Sequence, residues 1–411
     1  MTYKKTTIGE HCTVTSSKRF HLSERSSSGI PFFCSKEIIQ KVNGDEITEC
    51  DYIKEDVYEH VKKQYGVPAV GDLLITTRGT YGIPYIYKAD DCFYFADGNL
   101  TWLKGFDDKL LPEYLYYWVQ SYEGQKKIDA IAKGTAQKAV PISSIKLLEL
   151  EIPSADIQEK IVSILSAYDS LIENNRKQIK LLEEAAQRLY KEWFVDLRFL
   201  GYEAVEVIDG IPSGWTLQSL SDVFDYIRGK SYTSQEIVDK NGVIMVNLKN
   251  IKAFGGYKRN AEKNFIGKFK DEQRLCAGDI VMGVTDMTQE RRLVGHVAIV
   301  PDLGEVMTFS MDLIKLIPKM VTKGFLYATM RFGGYSKRIS PLANGVNVLH
   351  LKPDAMMSMK MLVPPCDIVE QYEAIFKIYH DKIEILQKQC DIIVEARNRL
   401  LPKLMSGEIE V

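Results

Sequence analysis

The side chains in this 411-residue chain best placed for chemistry lie in short polar loops, where they suit hydrogen bonding to a partner rather than bond making. Three loops lie in the first third: Thr15-Ser16-Ser17-Lys18-Arg19, Thr76-Thr77-Arg78-Gly79-Thr80-Tyr81 and Lys133-Gly134-Thr135-Ala136-Gln137-Lys138. Three more answer them further on: Arg228-Gly229-Lys230-Ser231-Tyr232, Thr285-Asp286-Met287-Thr288-Gln289-Glu290-Arg291-Arg292 and Ala343-Asn344-Gly345-Val346-Asn347. Arg, Lys, Asn, Gln, Ser and Thr on loops are the groups that hold phosphates and reach base edges. The candidate nucleic-acid contacts are therefore Ser17, Lys18, Arg19, Thr77, Arg78, Thr80, Tyr81, Lys133, Gln137 and Lys138 in the first set. The second set gives Arg228, Lys230, Tyr232, Thr285, Arg291, Arg292, Asn344 and Asn347, and the basic stretch 249–260 adds Lys258 and Arg259. An ordinary solvated loop is the competing reading of each. Recurrence at matching places favours contact. Gly79, Gly134, Gly229 and Gly345 have a plainer reading, as turns that need positive φ.

Motifs for catalysis are missing. The chain has no Gly-x-x-x-x-Gly-Lys-Ser/Thr phosphate loop, no Gly-x-Gly-x-x-Gly, and no His/Cys spacing typical of zinc. Its one Pro-Pro, Pro364-Pro365, lies between Val363 and Cys366, without the Asn/Asp-Pro-Pro-aromatic pattern that holds a flipped base. His11-Cys12 reads as filler and Asp107-Asp108-Lys109 as a solvated loop. No catalytic residue, metal or cofactor is expected.

The elements that must position these loops come in two copies. Residue n laid over residue n+211 aligns Gly134 with Gly345 and Pro153 with Pro364. Between 152 and 190, 14 of 39 positions are identical to their counterparts, too many for chance in segments that also share a period. Each copy ends in a heptad-patterned helix. One seam is Ile161, Leu165, Tyr168, Ile172, Asn175, Ile179, Leu182, Ala186, Leu189 and Trp193. The other is Tyr372, Phe376, Tyr379, Ile383, Leu386, Cys390, Ile393, Arg397, Leu400 and Leu404. Spacings of 4 and 3 sustained over more than four heptads predict that the seams pack on each other, in a sense the pattern alone leaves open. Asn175 and Arg397 read as residues that fix register. In the globular regions Gly71-Asp72-Leu73-Leu74-Ile75 is answered by Gly278-Asp279-Ile280-Val281-Met282, at an offset of 207. Leu110–Ile131 carries helical spacing, and the Gly/Pro/Ser-rich stretch from Leu200 to Trp215 separates the halves.

Charge is uneven. Residues 211–362 hold 21 basic against 14 acidic side chains, enough to face phosphates, whereas residues 1–150 hold 19 against 20. No apolar run reaches the ~18 residues of a membrane span, and no signal-peptide stretch opens the sequence. Seven scattered cysteines without Cys-x-x-Cys predict free, buried thiols in a reduced, cytoplasmic setting.

Gln187-Arg188-Leu189-Tyr190-Lys191-Glu192-Trp193-Phe194-Val195-Asp196-Leu197-Arg198-Phe199, followed by Gly201-Tyr202-Glu203, resembles the central conserved region of the specificity subunits of type I restriction-modification systems. Ile211-Pro212-Ser213-Gly214-Trp215 resembles the opening of their second target-recognition domain, and Leu400-Leu401-Pro402-Lys403-Leu404-Met405-Ser406-Gly407-Glu408-Ile409 their distal conserved region. The resemblance implies a non-catalytic subunit that reads a bipartite double-stranded DNA target. Its helices measure the spacer and dock two adenine methyltransferase subunits, and restriction/translocase subunits join the assembly.

The expected fold is α+β: two similar target-recognition domains separated by two long helices forming an antiparallel coiled coil, a pseudo-twofold internal repeat. Recognition domain 1 would span 1–150, the central helical region 151–199, the linker and recognition domain 2 200–362, and the distal helical region 363–411. A coiled-coil adapter whose globular regions bind proteins is the alternative, disfavoured by the basic second region.

Overall fold

The computed structural model describes every residue except 1–2, 46, 48, 135–137 and 288–289. Two 40-residue helices, Ala155–Phe194 and Cys366–Met405, carry the heptad seams. Every seam position is buried or half-buried, while charged residues fill much of the remaining faces. Pro402 lies in the last turn of the second long helix, where it removes one backbone hydrogen bond. The chain divides into two compact units, residues 1–177 with 387–411, and residues 178–386.

In the first unit an antiparallel sheet runs in the order Thr13–Thr15, Leu100–Lys104, Leu73–Thr76, Pro84–Ile86. A second sheet has Ile30–Phe33 in its centre, antiparallel to Asp51–Ile53 and parallel to Tyr94–Phe95. The strand Lys4–Thr7 pairs with Glu149–Ile152, which leads straight into the first long helix. Leu73, Leu74 and Ile75 are all buried, one reason this central strand is a continuous apolar run rather than an alternating one. The helical spacing of Leu110–Ile131 resolves into two helices, Pro112–Gln120 and Tyr122–Ile131. Ser121 breaks it: its Oγ caps the second helix by accepting from Gly124 N. Any Cβ at Gly124 would lie 2.1 Å from Trp118 O, so the two helices meet where only glycine fits.

The second unit repeats this topology strand for strand. Its antiparallel sheet runs Phe224–Arg228, Leu313–Pro318, Ile280–Gly283, Val297–Ile299. Val243–Val246 is antiparallel to Lys263–Phe265 and parallel to Met307–Phe309, and two short edge strands, Ile237–Val238 and Arg274–Leu275, are additions. Thr216–Ser219 pairs with Lys360–Val363 before the second long helix, and Lys323–Phe332 answers Pro112–Gln120. The stretch between the halves is more than a break. Val207–Ile208 pairs with Ile211–Pro212 across Asp209 and Gly210, both at positive φ as a tight two-residue hairpin requires.

Contacts between the long helices can be followed inside each unit. In the first, Ile161 and Leu165 share a core with Leu401 and Leu404. Asp169 is ion-paired with Arg397, and Asn175 Nδ2 donates to Gln389 Oε1 at 3.4 Å. Partner numbers fall along the second helix as they rise along the first. In the second unit Trp193 and Phe194 pack on the Tyr372 ring, with centroids 5.9 and 4.8 Å apart. Both polar seam residues thus find partners across the helix pair.

Asp107-Asp108-Lys109 form an exposed loop and His11 is buried in the core, as expected, but specific contacts join the two. His11 is buried, with Nδ1 2.9 Å from Asp107 Oδ2 and Nε2 2.9 Å from Thr6 Oγ1, and Thr6 donates to Glu10 at 2.7 Å. The loop also turns through Asp107 Oδ1, which accepts from Lys109 N and Leu110 N. Partial burial opposes ionisation of Asp107, but His11 and these amides outweigh it and hold the carboxyl below the usual range. The seven cysteines are free; Cys12 is buried, its thiol pushed up to about 12 by burial, whereas Cys92, Cys276 and Cys366 are exposed, contrary to the expectation of uniformly buried thiols.

Candidate nucleic-acid interface

In both units the polar loops meet at one end of the four-stranded sheet, and the sheet register is what brings them there. Antiparallel pairing places the end of Thr13–Thr15, the start of Leu100–Lys104 and the end of Leu73–Thr76 side by side. Thr77 is the knot of the first cluster. Its N–H donates to Asn99 O at 2.8 Å and its Oγ1 to Gly98 O at 3.2 Å, and its carbonyl accepts from Val140 N at 3.0 Å. Ser16 Oγ ties the third loop to Leu100 O at 3.4 Å. Lys133 and Ala139 exchange both backbone hydrogen bonds, and Ala139 is also bridged to Arg78, which anchors the third polar stretch beside it.

Thr77 and Ser17 are buried, Thr77 tied into the cluster by the bonds above; among the described residues no hydrogen-bond partner meets Ser17 Oγ. Arg19, Arg78, Thr80, Lys133 and Lys138 are exposed around them. Lys18 is half-buried, its ammonium 4.8 Å from the centre of the Phe20 ring. Tyr81 packs against the core, its phenol raised by burial and by Asp129. Gln137 lies outside the described residues.

The second cluster has the same plan with different chemistry at its centre. Val284 N donates to Asp312 O at 2.9 Å, as Thr77 N does to Asn99 O. The Asp312 carboxylate accepts from Thr285 Oγ1 at 3.0 Å and Ser310 Oγ at 3.4 Å. Thr285–Asp286 pairs with Leu349–His350, and Asn344 and His350 exchange backbone bonds, so the loop 344–350 projects beside it. Lys230 N donates to Phe309 O at 2.7 Å, bringing in the third loop. Gly229 does not have positive φ: it is needed because a Cβ there would sit 2.0 Å from Ser310 O. Gly79, Gly134 and Gly345 do have positive φ.

Arg228, Asn344 and Asn347 are exposed at this end, whereas Thr285 is buried and serves the scaffold. Tyr232 is half-buried beneath Lys263, whose ammonium donates to its hydroxyl at 2.5 Å. Asp286 accepts from Leu293 N at 2.7 Å, closing the loop that carries Arg291 and Arg292; Arg291 has φ 55°, unusual for a side chain of its size. Arg292 is paired with Glu290 at 2.5 Å. Lys258 is exposed, and Arg259 is not brought to the cluster: its guanidinium is 2.9 Å from Glu384 on the second long helix.

Asn99 and Asp312, at the centre of the two clusters, escaped the sequence reading. Their signal was positional: each directly precedes its matching strand, Leu100–Lys104 or Leu313–Pro318. Each cluster therefore presents flexible donors on a fixed base, which suits recognition of phosphates and base edges. Among the described residues, no group of three or more His, Cys, Asp or Glu could hold a metal ion, and no helix is long and apolar enough to cross a membrane.

Comparison with known proteins agrees with this plan. A family model described as the type I restriction modification DNA specificity domain matches residues 2–184. The type I restriction enzyme MjaIX specificity subunit of Methanocaldococcus jannaschii is 28% identical over 366 residues, 83% of this chain and 78% of the relative. A putative MjaX specificity subunit from the same organism is 25% identical over 376 residues, 89% of this chain and 84% of that one. In fold, the chain is similar to the crystal structure of a type I restriction-modification S subunit from M. genitalium, with a TM-score of 0.57, 17% identity, and 98% and 96% of the two chains covered. In sequence and in fold, then, the chain is similar to the specificity subunits of type I restriction-modification systems, and its residues 2–184 match their DNA specificity domain.

Proposed function

We propose that the chain is a sequence-specific DNA-binding subunit that reads a bipartite duplex target, one half with each loop cluster, and takes no part in bond making. The observation that carries the reading is the recurrence of three polar loops, at the same end of the same four-stranded sheet, in both units. In this reading residues 1–150 and 200–362 are target-recognition domains, and 151–199 and 363–411 are the helical regions between them. The helices form an antiparallel coiled coil that relates the domains by a pseudo-twofold axis. Support comes from partner numbers that run in opposite directions between Asp169–Arg397 and Asn175–Gln389.

A helix of 33 residues from Ile161 to Trp193 is about 50 Å long, more than one ~34 Å turn of DNA, so such a rod suits a ruler for a non-specific spacer. Two adenine methyltransferase subunits and restriction/translocase subunits are the proposed protein partners. Exposed candidates such as Arg78, Lys133, Lys138, Arg228, Asn344 and Asn347 would make the DNA contacts, with Thr77 and Thr285 holding the loops in shape.

The test is binding at fixed salt by the chain with methyltransferase subunits, to duplexes whose spacer varies by one base pair. A sharp optimum is expected. Equal affinity at every spacer length would defeat the ruler, and no preference for any DNA sequence would favour a protein-binding adapter.

A further inference from the structure

Each globular head is gripped by polar side chains at the long helices, on the same head helix in both units. In the first unit that helix is Pro112–Gln120. At its start, the fully buried Gln158 accepts from Leu111 N at 2.9 Å and donates to Lys109 O at 2.7 Å and Pro153 O at 3.0 Å. Further along, Tyr117 OH donates to Asp169 Oδ2 at 2.7 Å, and Asp169 is paired with Arg397 of the second long helix. Gln158 and Asp169 are 11 residues apart, three helical turns, so they project from one face. Asp169 thus joins the head and both long helices.

The answering helix of the second unit is Lys323–Phe332. Glu373 accepts from Gly324 N at 2.8 Å at its start, and the largely buried Arg331 near its end lies 3.8 Å from Glu183 while donating to Tyr327 OH. The grips are not repeat equivalents: at the offset of 211, Gln158 faces Val369 and Asp169 faces His380. The same mechanical junction has been built twice from different residues. Apolar packing is non-directional and leaves rotation of a head on its helix weakly specified, whereas hydrogen bonds are directional.

We propose that Gln158 and Asp169 are positioning residues that fix the angle of the first head on its helix and thereby the spacer length the subunit accepts. Glu373, Arg331 and Glu183 do the same for the second head. This rests on the recognition reading above. A duplex one base pair too long or short can be read only if a head turns on its helix, which breaks a grip, so discrimination against it includes the free energy of that grip.

The experiment uses the full chain assembled with methyltransferase subunits and measures adenine methylation on duplexes with the optimal spacer and with one base pair added or removed. Tyr117→Phe removes a single hydroxyl, and Gln158→Met keeps side-chain length without its hydrogen bonds. Tyr117→Phe is expected to lower the preference for the optimal spacer about fivefold, the size of one net hydrogen bond, and Gln158→Met, which removes three, by more, while for both the rate on the optimal spacer changes by less than about twofold. The sequences of the two half-sites should stay the same. If both variants keep the wild-type spacer preference, the inference is overturned. Should Gln158→Met fail to fold, Tyr117→Phe decides alone. A wild-type complex without any spacer preference instead defeats the ruler reading on which the inference stands.

Discussion

Asp107 shows how a residue in an apparently open loop acquires a structural role. Its carboxyl is held below the usual range by His11 and two backbone amides, which together outweigh the opposing effect of partial burial. A depressed folded pKa contributes stability that is fully present above the unfolded value of ~3.9 and is lost as pH falls through the folded value. Acid unfolding followed by circular dichroism should therefore show the wild type losing more stability than Asp107→Asn below about pH 4. Equal acid limbs would mean that the His11 contact adds nothing. Gly229 makes a steric counterpart. With Ser310 O only 2.0 Å from where a Cβ would stand, Gly229→Ala must push apart the two loops that Lys230 N and Phe309 O join. A loss of about 1–3 kcal/mol in denaturant unfolding is expected, with weakened DNA binding.

At the scale of elements, the long helices owe their stability to the buried seam rather than to their outer faces. Leu165 is fully buried in the core shared with Leu401 and Leu404, whereas Ile385, one heptad from Ile378 and Ile392, is exposed. Leu165→Ala should cost about 2–5 kcal/mol in chemical unfolding, and Ile385→Ala within about 0.5 kcal/mol of nothing. A large loss from Ile385→Ala alone would show the helix pairing to be misassigned. The polar seam residues were readable as register markers from their type, but their partners were not. Asp169 and Gln389 lie outside the seam in sequence, and only the packing within the unit brings them to Arg397 and Asn175.

For the whole molecule, the uneven charge has a functional consequence. The basic second region should supply more of the salt-sensitive attraction to DNA than the first, which is nearly neutral. Replacing Arg228 and Lys230 by Gln should reduce the slope of log affinity against log salt by about 0.9 for each phosphate that is no longer neutralised. The matching change at Lys133 and Lys138 should reduce it less. An equal effect from both pairs would show that local placement, not regional charge, governs the attraction. Modularity is tested separately: exchanging residues 1–150 for those of a relative should alter one half of the methylated target and leave the other as it was. A change in both halves would end the assignment of one half-site to each unit.

The duplication, the seams and the positions of the polar loops were legible because they are written in spacing: periods of 211 and of 3.5 survive whatever the neighbours do. So was the matching of Gly71-Asp72 with Gly278-Asp279, each a left-handed turn that opens a buried strand. Which loop residues face outward was not legible. Thr77 and Thr80 share a type and a loop, yet one is buried in the knot and the other exposed, because strand register decides which carbonyl each meets. Asn99, Asp312, Gln158 and the His11–Asp107 contact were hidden for the same reason: each depends on a partner far away in the chain. Sequence by itself determined that this protein has two similar heads and two long apolar seams. Only the tertiary structure decided which side chains brace and which reach out, since hydrogen-bond satisfaction is settled by long-range pairing rather than by local pattern.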